Sequence, residues 1–377
     1  MTIRIREHRP GRDLDAFLLL PEQLYEGDPG FCAPLLFEQR ERLTPAKNPF
    51  FEHAEVSLFT AYKDGKLVGR ISAQVDREHL KRHQDECGFF GFFDTINDAR
   101  VGRALVDAAA SWLKVRGMKR MRGPFSLSIN QECGTMVEGQ AEPPMFMTPY
   151  HRAYQDAVCL GAGLTRCKDL VSWRYAVGDI PERALKAQQE LRLMPEVHIR
   201  TVRKAQLAED VGILVDVFND AFRDNFQFVP MTRAELSKLS SDMKLLVDEQ
   251  MALIAEIDGV PAAIALALPN FNEALHDLHG KLFPLGLAKL IYRVKVKRPK
   301  SARVILLGIK SEYRRMKRYG GLSTALYVEI AQRGHARGYE WGELGWTLED
   351  NRAINAGIRK MGGQIYKRHR IYEKNFA

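Results

Sequence analysis

Leu307-Gly-Ile-Lys-Ser-Glu-Tyr-Arg-Arg-Met-Lys-Arg-Tyr-Gly-Gly-Leu-Ser-Thr324 joins an apolar run, 304–309, to an amphipathic run through Leu322, Ala325, Leu326 and Ile330, with five basic residues and a Gly-Gly pair between them. That order predicts a strand, an anion-binding turn and a helix start. Gly320 and Gly321 let backbone amides converge on a ligand, and unpaired amides at a helix N-terminus favour negative charge, so the stretch suits a phosphate or pyrophosphate. A basic turn with a glycine for tight packing has the same composition, and these residues alone leave both readings open.

At 377 residues the chain is long enough for two ordinary domains. Its formal charge of +9 favours an anionic partner, whether a phosphorylated cofactor, nucleic acid or an anionic membrane, without choosing among them. Five cysteines (Cys32, Cys87, Cys133, Cys159, Cys167) form no C-x-x-C pair, and the odd count argues against a full disulfide framework and for a reducing cytoplasm. No apolar run approaches the roughly 18 residues that span a bilayer. Residues 2–8 alternate like an opening strand rather than a signal peptide, so any membrane contact is expected to be peripheral, on the inner membrane.

One plan is used twice. After the opening strand and a helical run, 14–25, comes a hairpin, 56–75, turning at Asp64-Gly65; then a helix, 101–115, stopping at Gly117, a strand to Gly123-Pro124, a further helix and a strand near 170–175. The second half repeats this with a hairpin at Asp258-Gly259, helix 322–336, strand 341–346, helix 352–361 and strand 364–372. At an offset of 221, Ala104-Leu105 falls on Ala325-Leu326 and Arg116-Gly117 on Arg337-Gly338. The expected division is a domain at 1–177, a polar helical linker at 178–196 and a second domain at 197–377. The hairpin turns are 194 residues apart, so the second copy carries about 27 extra residues, at about 270–296. From 281 to 303 there are eight basic residues and no acidic one, interleaved with Leu282, Phe283, Leu285, Leu287, Leu290, Ile291 and Tyr292. Such a segment can lie on an anionic membrane, line an acyl channel, or be an ordinary buried helix with a solvated basic edge.

The strand order, with a basic glycine turn before the long helix, resembles the GCN5-related N-acetyltransferase superfamily, in which an R/Q-x-x-G-x-G/A motif holds the pyrophosphate of coenzyme A. The matching residues are Arg318-Tyr319-Gly320-Gly321-Leu322-Ser323, with serine at the last small position; the following strand and the helix led by Asn351 also match. The resemblance implies an α/β (α+β) fold of tandem domains, each a mixed central sheet flanked by helices. It implies acyl-CoA as co-substrate at Leu307, Gly308, Ile309, Arg318, Tyr319, Gly320, Gly321, Leu322, Ser323, Thr324 and Asn351. In the first half the corresponding residues are Asn97-Asp98-Ala99-Arg100-Val101-Gly102. Asp98 and nearby Asp94 repel a pyrophosphate and Arg100 replaces the central glycine, so this copy is expected not to bind coenzyme A; the run 123–132 is a candidate wall for the acceptor.

The implied reaction is attack of an amine on the thioester, with strand amides at 307–309 stabilising the oxyanion. Glu343 is the first candidate base and Glu349 the second. The family's acid tyrosine, four residues before a glycine on the last helix, is replaced by Ile358, which leaves Tyr366, Tyr372 or solvent to protonate the thiolate. No metal site is expected. The patterns 343–351 and 370–374, with 123–130, look similar to a bacterial group of acyl-CoA-dependent ceramide synthases, which implies a long-chain acyl-CoA and a sphingoid-base amine, hence a lipid acceptor and a role in sphingolipid biosynthesis. Nucleic acid is disfavoured as a partner, although a transferase using aminoacyl-tRNA is one rival reading; a non-catalytic acyl-CoA or lipid-binding protein is the other.

Overall fold

The computed structural model describes residues 2–246 and 248–376, with the backbone alone for 243–246. Two compact units emerge, and neither is continuous in sequence. The first comprises Met1–Val171, Asn272–Val296 and Tyr366–Ala377; the second comprises Ser172–Phe271 and Lys297–Ile365. The basic apolar insertion and the C-terminal strand are thus grouped with the N-terminal unit rather than with 197–377.

In chain order the elements of the N-terminal half are β1 (Ile3–His8), α1 (Asp15–Tyr25), α2 (Leu36–Arg42), α3 (Phe50–His53), β2 (Ala54–Lys63), β3 (Lys66–Asp76), α4 (Arg77–His83), β4 (Cys87–Thr95), α5 (Ala99–Val115), β5 (Arg120–Gly123), β6 (Thr135–Glu138), α6 (Gln155–Gly161) and β7 (Thr165–Ala176). The order in the first unit's sheet is β1-β2-β3-β4-β5, antiparallel except for the parallel β4–β5 pair. Asp64 and Gly65 both take positive φ (50° and 81°), as the two-residue hairpin turn requires. Apolar positions of α5 recur at helical spacing, so Val101, Leu105, Ala109 and Leu113 are buried together with Ile71, Phe90 and Phe93. A second cluster gathers Leu14, Phe17 and Leu18 with Leu58 and Phe92.

The remaining elements are α7 (Glu182–Arg192), β8 (Val197–Thr201), α8 (Leu207–Ala221), α9 (Arg233–Leu246), β9 (Ala252–Ile257), β10 (Val260–Pro269), α10 (Asn272–Leu275), α11 (Gly286–Tyr292), β11 (Ser301–Ile309), α12 (Ser311–Arg314), α13 (Leu322–Ala336), β12 (Trp341–Leu348), α14 (Arg352–Lys360) and β13 (Gln364–Asn375). In the second unit the order is β12-β11-β10-β9-β8, with β11–β12 parallel and the rest antiparallel. Its hairpin turn repeats the first, with Asp258 and Gly259 at φ 50° and 77°. In the first unit β13 pairs antiparallel with β5, Tyr372 to Asn375 against Gly123 to Arg120. The stretch expected as a linker contains α7, which packs on α13: Gln188 donates to Glu329 at 2.6 Å, and Arg192 pairs with the same buried carboxylate.

Candidate active site

Two devices open the second unit's sheet. β11 and β12 pair only from Ser301↔Trp341 to Val304↔Leu344, although both strands continue to Ile309 and Leu348. On the other edge of β11, Leu266 faces Leu306 while Ala267 faces Val304, so Ile305 is an extra residue, a β-bulge that turns the strand at the point where pairing with β12 stops. On β12 the residue after the last pair is Gly345 at φ 121°, a conformation that a side chain disfavours. A buried ion pair closes the paired end: Arg303 Nε lies 2.8 Å from Glu343 Oε1, and Arg303 also donates to the Gly345 carbonyl at 3.2 Å.

Unpaired backbone therefore faces the gap. The Lys310 N–H donates to Ala262 on β10 at 2.9 Å, and strand residues alternate, so the polar groups of Leu307 and Ile309 turn to the edge that β12 has left. Gly308 turns the other way. Its missing side chain is explained by packing, because a Cβ there would come within 2.9 Å of Ala221 on α8.

Next to this edge α13 begins without a cap. Gly321 precedes the helix, no side chain among the described residues caps the first amides, and the first helical bond runs from Ala325 N–H to the Gly321 carbonyl at 2.9 Å, so the N–H groups of Leu322, Ser323 and Thr324 precede the helical ladder. Gly320 and Gly321 have φ of −60° and −84°, so neither is needed for a left-handed turn. A Cβ at 321 would meet nothing closer than 3.8 Å; what the glycines contribute is bare backbone at the helix start. Arg318 is exposed and pairs with Glu196, and buried Tyr319 donates to the same carboxylate at 3.4 Å, which ties the turn to the unit. Arg314, Arg315 and Lys317 are exposed alongside. The whole arrangement is a preformed place for an anion.

The two glutamates differ sharply. Glu343 is wholly buried in the paired part of the sheet and engaged by Arg303. Glu349 is exposed at the C-terminal end of β12. That end is fixed by a network the sequence reading missed: Trp173 Nε1 donates to Thr347 Oγ1 (2.9 Å), Thr347 donates to Asn355 Oδ1 (2.7 Å), and Asn355 Nδ2 donates to the carbonyls of Leu348 and Glu349 (3.0 and 2.9 Å). Asn355 is nearly inaccessible to solvent; the signal the sequence offered was an asparagine, a residue disfavoured in helix interiors, inside the last helical run. Asn351 caps α14 by accepting from Ile354 N–H at 3.3 Å. Tyr366 lies on β13, in the part grouped with the first unit. Tyr372 is buried, its hydroxyl donates to Asp156 at 2.6 Å, and burial together with Cys159 and Asp156 pushes it well above the usual phenol range. A small apolar cavity of about 30 Å³, lined by Tyr175, Tyr327, Ile330 and Leu344 among others, also lies in this unit. Burial pushes the Tyr327 hydroxyl up to about 12, which keeps it neutral.

No family model matches the chain. Over 367 residues, which is 96% of this chain and 94% of the relative, it is 38% identical to a bacterial ceramide synthase of Caulobacter vibrioides (strain NA1000 / CB15N). The chain belongs to the bacterial ceramide synthase family. Protein YghO of Escherichia coli (strain K12) is similar, 39% identical over 364 residues, 96% of this chain and 93% of that one. Among solved structures, a tandem GNAT protein from the clavulanic acid biosynthesis pathway aligns with a TM-score of 0.56 at 11% identity, covering 99% of this chain and 98% of its own. A GCN5-related N-acetyltransferase from Sphaerobacter thermophilus gives 0.54 at 13% identity, covering 99% and 95%. At such identities the likeness is one of fold, and the fold of this ceramide synthase family member is the tandem acetyltransferase fold.

Proposed function

We propose that the second unit is an N-acyltransferase that takes a long-chain acyl group from acyl-CoA and places it on the amine of a sphingoid base. The observation that carries this reading is the uncapped, glycine-led start of α13 beside the unpaired edge of β11. The amides of Leu322, Ser323 and Thr324, with Arg318, Gly320 and Gly321, hold the pyrophosphate, while Tyr319 and Glu196 support the turn. Backbone N–H groups of Leu307 and Ile309 receive the oxyanion that forms as the amine nitrogen attacks the thioester carbonyl. A C–N bond forms and the C–S bond breaks. The amine proton passes to Glu349, directly or through one water, and the coenzyme A thiolate leaves to be protonated by solvent. Glu343, engaged by Arg303, supports the site from behind. Asn351 and Asn355 fix the strand end that presents Glu349. The lipid amine is met at the surface of an anionic membrane.

The test is to incubate the purified chain with acyl-CoAs of several lengths and a panel of amines, following thiol release and N-acyl product. The account expects product from long-chain acyl-CoA and sphingoid bases, and loss of turnover with retained acyl-CoA binding in Glu349→Gln. Tight binding without any product would make the chain a binding protein.

A further inference from the structure

The second short helix of the insertion, α11, has the sequence Gly-Leu-Ala-Lys-Leu-Ile-Tyr, and not one of its residues is buried. The turn that follows, Arg293–Lys297, buries none either. A helix of this composition ordinarily faces a core. Six of the fifteen large apolar side chains exposed among the described residues fall within 283–296: Phe283 (79%), Leu285 (70%), Leu287, Ile291, Tyr292 and Val296 (65%). Scattered apolar residues need no explanation, but this clustering marks an interaction surface.

The segment is anchored at its base. Gly280 has φ 72°, its carbonyl accepts from Leu36 N–H at 3.0 Å, and a Cβ there would collide with the Pro34 carbonyl. Asp277 holds Arg293 bidentately (2.9 Å from Nη2) and Lys289 at 3.4 Å, and Arg293 also donates to the Ala274 carbonyl at 3.0 Å. With that one carboxylate occupied inside the anchor, Lys281 and Lys295 stand exposed among the apolar side chains, and Lys297 and Arg298 follow in the chain. No acidic residue occurs from 281 to 303.

We infer that residues 281–296 of the first unit form a preformed interfacial anchor whose occupant is an anionic lipid bilayer. Phe283, Leu285, Ile291 and Tyr292 enter the boundary between headgroups and acyl chains, while the lysine heads stay with the anionic headgroups. A protein partner of this size would leave unanswered cations at the centre of its interface, where charge is depleted; a bilayer answers them with mobile anions. The inference rests on the lipid-amine reading for its purpose, since it places the enzyme where such an amine resides, and on the exposed residues for its chemistry.

Vesicle flotation tests it with the full chain. Vesicles of phosphatidylcholine with about 40 mol% phosphatidylglycerol should carry the protein to the top of the gradient, pure phosphatidylcholine vesicles should not, and about 0.5 M salt should release it. The triple variant Phe283→Ser, Leu285→Ser, Ile291→Ser should bind at least tenfold more weakly, with an unchanged melting temperature. That variant should turn over a detergent-dispersed amine at the wild-type rate, so loss of docking is separable from loss of the proposed activity. Wild-type protein that stays at the bottom with anionic vesicles would overturn the inference, as would equal binding by the variant. So would light scattering that shows a wild-type dimer and a monomeric variant, because the patch would then be covered by a second copy.

Discussion

The two long helices start differently, and the difference separates a filled cleft from an open one. On their buried faces they match at the offset of 221: Val101, Leu105, Ala109 and Leu113 of α5 correspond to Leu322, Leu326, Ile330 and Gly334 of α13. Yet α5 starts two residues earlier in this register, and its cap is Asp98, whose carboxylate accepts from Arg100 N–H at 3.0 Å and pairs with Lys63 at 2.8 Å. The side chain satisfies a helix-start amide of the kind that α13 leaves without a side-chain cap. Asp94, expected to act with Asp98 against phosphate, instead points into the first unit, where Arg70 and Tyr25 each bond it at 2.7 Å. The neighbouring strands tell the same story. β4 separates from β5 after Phe89↔Arg122 and bulges near Phe92, much as β11 does, but all nine β4 residues are buried. Phe125 N–H bonds the Phe90 carbonyl at 2.7 Å, and Phe125 and Leu127 are buried beside it. The run 123–132, expected as an acceptor wall, here begins by filling its own unit's gap. On β11 four of the last five residues remain half-exposed.

Breaking the comparison at its most rigid point should have the largest effect. Glu343→Ala leaves the Arg303 guanidinium buried without its partner and should cost on the order of 3–5 kcal/mol of stability in a denaturant titration. The same ladder position in the first unit is Arg122, shared between Glu373 and Asp85 and partly exposed, so Glu373→Ala should cost only about 1 kcal/mol.

Gly321→Asp transplants the first unit's cap into the second. The backbone and the free space accept the side chain, so the fold should persist while acyl-CoA binding falls roughly 100-fold, about 2.7 kcal/mol. A smaller contrast concerns acids early in α1 of the first unit and α8 of the second. Asp15 is exposed against Arg40, whereas Asp210 is inaccessible; burial opposes its ionisation, but bonds from Arg203 and Arg200 outweigh that and hold it at about 2. A depressed carboxylate contributes stability that is full above its unfolded value near 4 and lost as pH falls towards 2. Asp210→Asn should lower stability at neutral pH on the order of 2 kcal/mol and flatten this acid limb; an unchanged limb would show that another group is responsible. Asp98→Ala should be as mild as Glu373→Ala, about 1 kcal/mol for a lost cap in the same denaturant titration.

Much of this was legible in advance because it is local. Asp-Gly turns, glycine stops and helical apolar spacing act over a few residues, so both hairpins and the helix at 322–336 were found, as were the basic glycine turn and the missing glycine at 100. What was not legible depends on pairing across long separations. The grouping of β13 with the first unit, the bulge at Ile305 and the Arg303–Glu343 pair arise only once strands far apart in sequence lie side by side. The burial of Glu343 is not visible in the sequence because its partner Arg303 is 40 residues away. The packing of Gly308 against Ala221 on α8 is likewise a contact across a long separation in sequence.

Calorimetric titration of the full chain with a non-transferable acyl-CoA analogue tests the central claim, that only the second unit's cleft takes the thioester. The account predicts one site per chain, abolished by Arg318→Glu and unchanged in affinity by Asp98→Ala. Two sites per chain, or equal loss in both variants, would contradict it.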